Sequence, residues 1–312
     1  MKSTAIAPSN IAFIKYWGKK DEELRLPENG SISMNLSGLL TTTTVEFNEI
    51  LREDSVVIDG VETNNIRIIE HLDRIKKFAK STLKAKVVSL NNFPSGTGLS
   101  SSASGFAALS LAGASALGIK MSEKELSILA RQGSGSACRA IPDGITEWLD
   151  GNTNGSSYAV SLYTPDYWDL VDVVAVVSNE KKEVSTSEGQ KLAQKSPFYA
   201  TRLANIKEKI TLCRKYLSEK NFQKLGELIE QEALELHAIM LTSNPPLIYW
   251  TNGTLSIMKL IAKWRAEGIG VYFTINTGQD IHLICQKVEE QKVIEKLKGL
   301  NFVKQIVINY SS

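Results

Sequence analysis

Two runs of small residues and one lysine in an apolar stretch hold the side chains best suited to chemistry in this 312-residue sequence. The first run is Pro94-Ser95-Gly96-Thr97-Gly98-Leu99-Ser100-Ser101-Ser102-Ala103-Ser104-Gly105, which leads directly into an Ala-rich helical pattern from Phe106. Small residues let backbone N–H groups approach an anion without a Cβ clash. A helix start then adds unpaired N–H donors and the positive end of a dipole. With its serine hydroxyls the segment reads as a polyphosphate cradle, although it is not the GxxxxGK[ST] pattern of a P-loop. By composition it is also compatible with a flexible Ser/Gly loop ahead of a helix.

The second run, Gly133-Ser134-Gly135-Ser136-Ala137-Cys138-Arg139, ends in a planar guanidinium suited to phosphate or carboxylate. The competing reading is a helix–helix connection with a surface arginine. In Asn10 to Lys19, strand alternation places Lys15, Trp17 and Lys19 on one face and Tyr16 on the other. A lysine inside an apolar strand costs free energy unless an anion pairs with it; the alternative is an edge-strand lysine that snorkels. His71, His237 and His282 have no ligand spacing and read as structural, and Glu230, Glu232 and Glu235 read as a solvated helix face.

These segments need elements to position them. The first third is strand-rich: Ala5–Trp17, Leu40–Phe47, and a hairpin of Ser55–Asp59 with Val61 closed near Asp59-Gly60. Ile66, Ile69, Leu72, Ile75 and Phe78 predict a helix, and Lys84–Leu90 a strand. Ser122 and Glu125 stand at capping-box spacing for a helix to about Gln132. Strands follow at Ile145–Trp148, Tyr158–Leu162 and Leu170–Val177. Beyond Asn179 long amphipathic helices dominate, with strands at Val271–Ile275, Ile281–Cys285 and Val303–Ile308. The change in composition sets a domain boundary near 178, giving domains of 1–178 and 179–312.

Lys plus Arg is 36 against 34 Asp plus Glu, a net charge of +2 that offers no nucleic-acid footprint. Three scattered cysteines make neither a disulfide framework nor a CxxC metal site. They fit a reducing compartment. No run of about 18 apolar residues or signal-peptide pattern is present, so a cytoplasmic protein without a membrane span is expected.

Taken together and in order, the segments resemble the diphosphomevalonate decarboxylase branch of the GHMP kinase superfamily. The resemblance rests on Asn10-Ile11-Ala12 with Lys15-Tyr16-Trp17-Gly18-Lys19, on Gly98-Leu99-Ser100-Ser101-Ser102-Ala103 and on Gly133 to Arg139. It continues through Leu24–Ser33, Val176–Gly189, His237-Ala238 and Pro245-Pro246. It implies an α+β fold: an N-terminal domain like domain 2 of ribosomal protein S5, a ferredoxin-like C-terminal domain, and a homodimer. It also implies a reaction. ATP with magnesium phosphorylates the tertiary 3-hydroxyl of mevalonate 5-diphosphate, and loss of that phosphate with CO2 gives isopentenyl diphosphate. By the same resemblance, Ser95, Gly96, Gly98, Leu99, Ser100, Ser101, Ser102 and Ser104 hold the ATP phosphates. Tyr16, Lys19, Arg67, Ser134, Ser136, Thr186 and Ser187 lie near the substrate diphosphate. Arg139 grips the substrate carboxylate, and Lys15 offsets charge near the reacting hydroxyl. No metal site beyond nucleotide-bound magnesium is implied.

One departure stands out. Where the family carries Thr-x-Asp-Ala-Gly-Pro-Asn, this chain reads Thr274-Ile275-Asn276-Thr277-Gly278-Gln279-Asp280. An amide orients a hydroxyl but does not accept its proton as a carboxylate does, and general-base help is worth about 10²–10⁴-fold. Asn276 therefore takes the catalytic carboxylate's place. Three explanations are open: one replacement inactivates the chain, Asp280 supplies the charge from beyond the turn, or the chemistry has drifted. A kinase reaction without decarboxylation and a silent metabolite binder are the competing functions. A smaller departure is Pro142-Asp143-Gly144, where the family has two glycines after the arginine.

Overall fold

In chain order the elements of the computed structural model are β1 (Lys2–Ile14), β2 (Lys19–Asp21), β3 (Leu26–Pro27), β4 (Ser31–Asn48), β5 (Ser55–Ile58), β6 (Val61–Glu62), α1 (Ile66–Ala79), β7 (Lys84–Asn91), α2 (Ser101–Ala116), α3 (Glu123–Gly133), β8 (Ile145–Trp148) and β9 (Ala159–Tyr163). They continue as β10 (Leu170–Val176), α4 (Thr186–Gln190), α5 (Tyr199–Ser218), α6 (Phe222–Leu241), α7 (Asn252–Ala266), β11 (Val271–Thr274), β12 (Ile281–Gln286), α8 (Glu290–Lys298) and β13 (Gln305–Tyr310). The structure describes all residues of 1–312 except Ser95, Asn179 and Lys181.

The architecture is the expected α+β mixture. A seven-stranded sheet runs β6-β5-β7-β4-β8-β9, with β1 also on β4, and a four-stranded antiparallel sheet runs β11-β12-β10-β13. The Ser55–Val61 hairpin forms as read, with positive φ at Asp59 and Gly60. Ser122 and Glu125 close a capping box at the start of α3. Helix α2 is so rich in alanine that its backbone lies close to the large sheet, with Ala103, Ala107, Ala108 and Ala112 all buried. A bulkier residue there would lift the helix start away from the strands it serves.

The strand β10, which precedes the expected boundary at 178, pairs with β12 and β13 in the second sheet. Its fully buried sequence, Leu-Val-Asp-Val-Val-Ala-Val, is what a central strand covered on both faces requires. The glutamates of α6 are not a solvated face. Glu232 is buried against Arg202 and Lys209, with Glu235 beside it. Helical spacing gave no sign of this, because the neutralising cations come from another helix, α5.

Candidate functional site

Strand β1 ends at Ile14, after a register shift between Ala12 and Ile14. The alternation expected for residues 15–19 therefore does not apply. Lys15 and Tyr16 both line one cleft, Trp17 is buried in an apolar cluster, and the Lys19 ammonium pairs with Glu22 outside the lining. Backbone atoms of Lys15 are clamped by α5, α6 and the loop before β4: its N–H donates to Glu232 Oε2 at 3.1 Å, and its carbonyl accepts from Arg202 Nη2 at 3.0 Å and Asn29 Nδ2 at 2.9 Å. Its ammonium donates to the Ala12 carbonyl at 2.7 Å and to Asn276 Oδ1 at 3.3 Å. Burial pulls the Lys15 pKa down from 10.5 to about 7, against the raising influence of Glu232.

The first small-residue run folds as a tight turn into α2. Gly98 has φ +119°, and a Cβ there would stand 2.6 Å from the Gly278 Cα; the reciprocal Cβ on Gly278 would meet the Thr97 carbonyl at 2.2 Å. Only two glycines let the loop and the 276–280 turn pass so closely. Ser100, at φ 58°, begins α2 without a side-chain cap, and its hydroxyl accepts instead from Asn276 Nδ2 at 2.9 Å. The helix start is thus left open toward the cleft. Gly96, Gly98, Ser100, Ser101 and Ser102 line it. Leu99 is turned into the core, and its carbonyl accepts from Ser9. The Ser104 hydroxyl is buried against Thr41 at 2.6 Å, which directs it away from the cleft. Ser95 lies outside the described residues.

The second run ends α3 and continues as a 3-10 turn over Gly135–Ala140. The two runs meet: Ser102 and Ser134 share a hydrogen bond of 3.2 Å. Arg139 is not a surface arginine. It is 3% exposed, and its guanidinium donates to Ser33 Oγ at 2.8 Å, Ser31 Oγ at 2.6 Å and Asn10 Oδ1 at 3.0 Å. These partners are neutral, so the fork is oriented while its charge stays uncompensated. Asn10, read from sequence only as part of a motif, is thereby a positioning side chain. Pro142, beyond this turn, accepts from Asn35 Nδ2 and is not part of the lining.

The cleft encloses about 210 Å³. Lys15, Arg25, Arg67, Arg139 and Lys182 line it, and no carboxylate does among the described residues. Ser134, Ser136, Thr186 and Ser187 line it as well. Arg25 and Lys182 went unassigned in the sequence, as did Gln190. Arg25 sits in an unremarkable polar stretch, has a left-handed backbone, and donates from Nε to the Gln132 carbonyl at 3.0 Å at the cleft wall. Lys182 is held by Thr186 Oγ1 at 2.7 Å and the Thr277 carbonyl at 2.8 Å, and burial lowers its pKa to about 8. A second cavity, more apolar and lined in part by Ile58, Ile68, Phe106 and Leu109, adjoins the first through Arg67, Ser101 and Ser102.

Asp280 does not reach the cleft. Its Oδ1 accepts from the Val177 N–H at 3.0 Å, and the side chain is 2% exposed. His237 donates from Nε2 to the Asn276 carbonyl at 3.0 Å and stacks on Trp250. Burial holds its pKa down at about 3, so the ring is neutral. His71 and His282 bond Ser110 and Asp172, away from the cleft. No group of three or more metal-ligating side chains occurs among the described residues.

A cationic cleft with no carboxylate among its described lining residues, set between an open helix start and a glycine turn in a two-sheet α+β fold, defines a small-molecule enzyme of the GHMP kinase type. Residues 7–159 match the diphosphomevalonate decarboxylase-like N-terminal domain, and residues 172–310 match the mevalonate 5-diphosphate decarboxylase C-terminal domain. The chain is 32% identical to diphosphomevalonate decarboxylase of Candida albicans, over 95% of this chain and 87% of that protein. It is 33% identical to phosphomevalonate decarboxylase of Haloferax volcanii, over 95% and 91%. A solved structure of MDDEF in complex with MVAPP, AMPPCP and magnesium superposes with a TM-score of 0.94 at 36% identity, covering 100% of this chain and 97% of that one. The chain belongs to the diphosphomevalonate decarboxylase family.

Proposed function

We propose that the protein carries out ATP-dependent decarboxylation of mevalonate 5-diphosphate to isopentenyl diphosphate. The observation that carries this reading is the cleft itself: Lys15, Arg25, Arg67, Arg139 and Lys182 face one space with no carboxylate among the described lining residues. Such a space suits two polyanions and disfavours neutral ligands. A diphosphorylated acid and a nucleotide tail are two polyanions, and the family membership and the complex of the MDDEF relative support that pairing.

In this reading the turn at Gly96–Ser102 and the start of α2 hold the ATP phosphates, and the adjoining apolar cavity takes the nucleoside. The open backbone, the small residues and the uncapped helix fit a phosphate chain. Magnesium enters on the nucleotide, because the described lining offers hydroxyls and no carboxylate. Tyr16, Arg67, Ser134, Ser136, Thr186 and Ser187 bind the substrate diphosphate, joined by Lys182 and Arg25. Arg139 grips the substrate carboxylate through a preoriented fork. Lys19 is left out of this set, because its ammonium is paired with Glu22 outside the lining. Phosphorylation converts a poor leaving group into a good one, and the fixed cations stabilise charge that grows during transfer.

The test is a product count. Purified protein with ATP, magnesium and mevalonate 5-diphosphate is expected to release ADP and CO2 in equal amounts. Asn276 favours a second reading, phosphorylation without decarboxylation, for which ADP forms and CO2 does not. Two finer proposals rest on the family likeness: a homodimer, checked by analytical ultracentrifugation, and a cytoplasmic location, in keeping with three buried free cysteines. The domain boundary is proposed ahead of Leu170, where the strand pairing changes sheet; limited proteolysis checks it.

A further inference from the structure

The proposed reaction removes a proton from a tertiary hydroxyl, yet no carboxylate among the described residues lines the cleft. The nearby carboxylates are engaged elsewhere. Asp280 accepts from the Val177 backbone. Glu232 is bound by Arg202 at 3.0 Å, by Lys209 at 2.9 Å and by the Lys15 N–H at 3.1 Å. Asp172 is paired with His282 at 2.9 Å. Position 276, level with the Lys15 ammonium, holds an amide whose Nδ2 donates to Ser100 Oγ at 2.9 Å and to the Asn10 carbonyl at 3.4 Å. Those two acceptors turn the amide oxygen toward Lys15. A carboxylate there would have no hydrogen to give to the Asn10 carbonyl, which the amide supplies.

The bonding of Lys15 follows from this. Its Nζ has two carbonyl partners, Ala12 O at 2.7 Å and Asn276 Oδ1 at 3.3 Å. A neutral amine has two hydrogens and one lone pair. The two oxygens take both hydrogens, and the lone pair is left for the cleft that Lys15 lines. We infer that Lys15, as a neutral amine, is the base that takes the proton of the substrate's tertiary hydroxyl in this chain, in place of a carboxylate at 276. Its surroundings agree: burial is the largest influence lowering its pKa to about 7, Arg139 and Arg202 act in the same direction, and Glu232 and Asp172 oppose them. His237, packed behind Asn276, is neutral, and Lys182 faces the same cleft. A base with a pKa near the working pH is the efficient choice.

The inference rests on the proposed reaction, and its steps balance. The hydroxyl O–H bond breaks to the Lys15 lone pair as the oxygen bonds the γ-phosphorus. The bond from that phosphorus to the β-phosphate oxygen breaks, and ADP leaves with its electron pair. The new ammonium then lies beside the phosphate on the tertiary carbon. In the elimination the C–O bond breaks onto phosphate, the C–C bond to the carboxylate supplies the alkene pair as CO2 leaves, and the Lys15 proton goes to the departing phosphate.

The experiment is the pH dependence of kcat/KM for ADP release, which reports the ligand-free cleft, with kcat and KM taken from the same data, for the parent chain, Lys15→Arg and Asn276→Asp. The parent is expected to lose about tenfold in rate per pH unit below about 7 and to level off above it. Lys15→Arg keeps the charge but holds its proton, and is expected to lose at least about 10²-fold in kcat with KM within about threefold. Calorimetric binding of mevalonate 5-diphosphate checks that this variant is folded. Asn276→Asp is expected to move the acid limb down by at least about one pH unit, since a carboxylate beside Lys15 both raises the lysine's pKa and offers a base of its own. A flat parent profile between about pH 5.5 and 8, or Lys15→Arg within about tenfold of the parent, overturns the inference. So does a silent parent beside an active Asn276→Asp, which leaves the family reaction standing. No ADP from either chain removes the proposed reaction and this inference with it.

Discussion

A charged side chain in this cleft is defined by the neutral groups that hold it. Arg139 is presented by Ser31, Ser33 and Asn10, which orient the guanidinium without spending its charge. Lysine offers one rotatable point charge in place of that fork. Arg139→Lys is therefore expected to weaken mevalonate 5-diphosphate binding by about 10–100-fold with little change in melting temperature; titration calorimetry measures it, and unchanged affinity would remove the assigned role. The sequence exposed this residue's chemistry but not its burial. Nothing in Gly-Ser-Gly-Ser-Ala-Cys-Arg says that hydroxyls from β4 wait for the arginine. Lys182 was harder still, because its significance comes from Thr277, 95 residues away.

At the level of elements, the glycine pair Gly98 and Gly278 decides whether the phosphate turn and the Asn276 turn share one wall. The loop carbonyl of Thr97 accepts from the Gln279 N–H at 3.3 Å, and the Lys182 N–H donates to the Gly96 carbonyl at 3.2 Å. Gly98→Ala combines a positive φ with a 2.6 Å clash onto backbone. It is expected to cost about 1–3 kcal/mol of stability and to abolish binding of an ATP analogue more completely than that of mevalonate 5-diphosphate. Urea unfolding and calorimetry check the two halves; equal loss of both ligands would place the damage in the fold as a whole. Most of the longer helices and strands were legible from their periodicity; the short β2, β3 and α4 and the first half of β4 were not. Residues 15–18 were misread as strand because a register shift ends β1 early, and a bulge has no period to detect.

Across the whole molecule, a buried ion network joins α5 and α6 to the end of β1. Arg202 bonds Glu232, Glu235 and the Lys15 carbonyl together. Removing one partner leaves buried charge uncompensated, so Glu232→Ala is expected to cost about 3–5 kcal/mol, read from the urea midpoint; a loss below about 1 kcal/mol would show the network to be dispensable. The same burial makes the fold sensitive to acid. Burial lowers the pKa values of His71 and His237 from 6.5 to about 3. Between those values the unfolded chain binds more protons than the folded one, so stability rises with pH across this window. Glu232, held at about 2 chiefly by Arg202 despite its desolvation, adds stability above its ordinary 4.5 that is lost as the pH falls toward 2. Lys15, lowered from 10.5 to about 7, acts in the same sense at higher pH. The urea midpoint is expected to climb steadily from about pH 4 to 8, and His71→Asn to flatten the slope below 6.5; a midpoint independent of pH would contradict it.

The sequence by itself determined the element order, the two small-residue turns and the family, because local periodicity, glycine placement and motif order are properties of the chain. It also showed that an amide stands where a carboxylate is expected. Only the tertiary structure decided what that amide means. Whether Asp280 compensates, which cations are unpaired, and which lone pair faces the cleft depend on distances between residues far apart in sequence. Desolvation and charge pairing act through space, and no spacing along the chain encodes them.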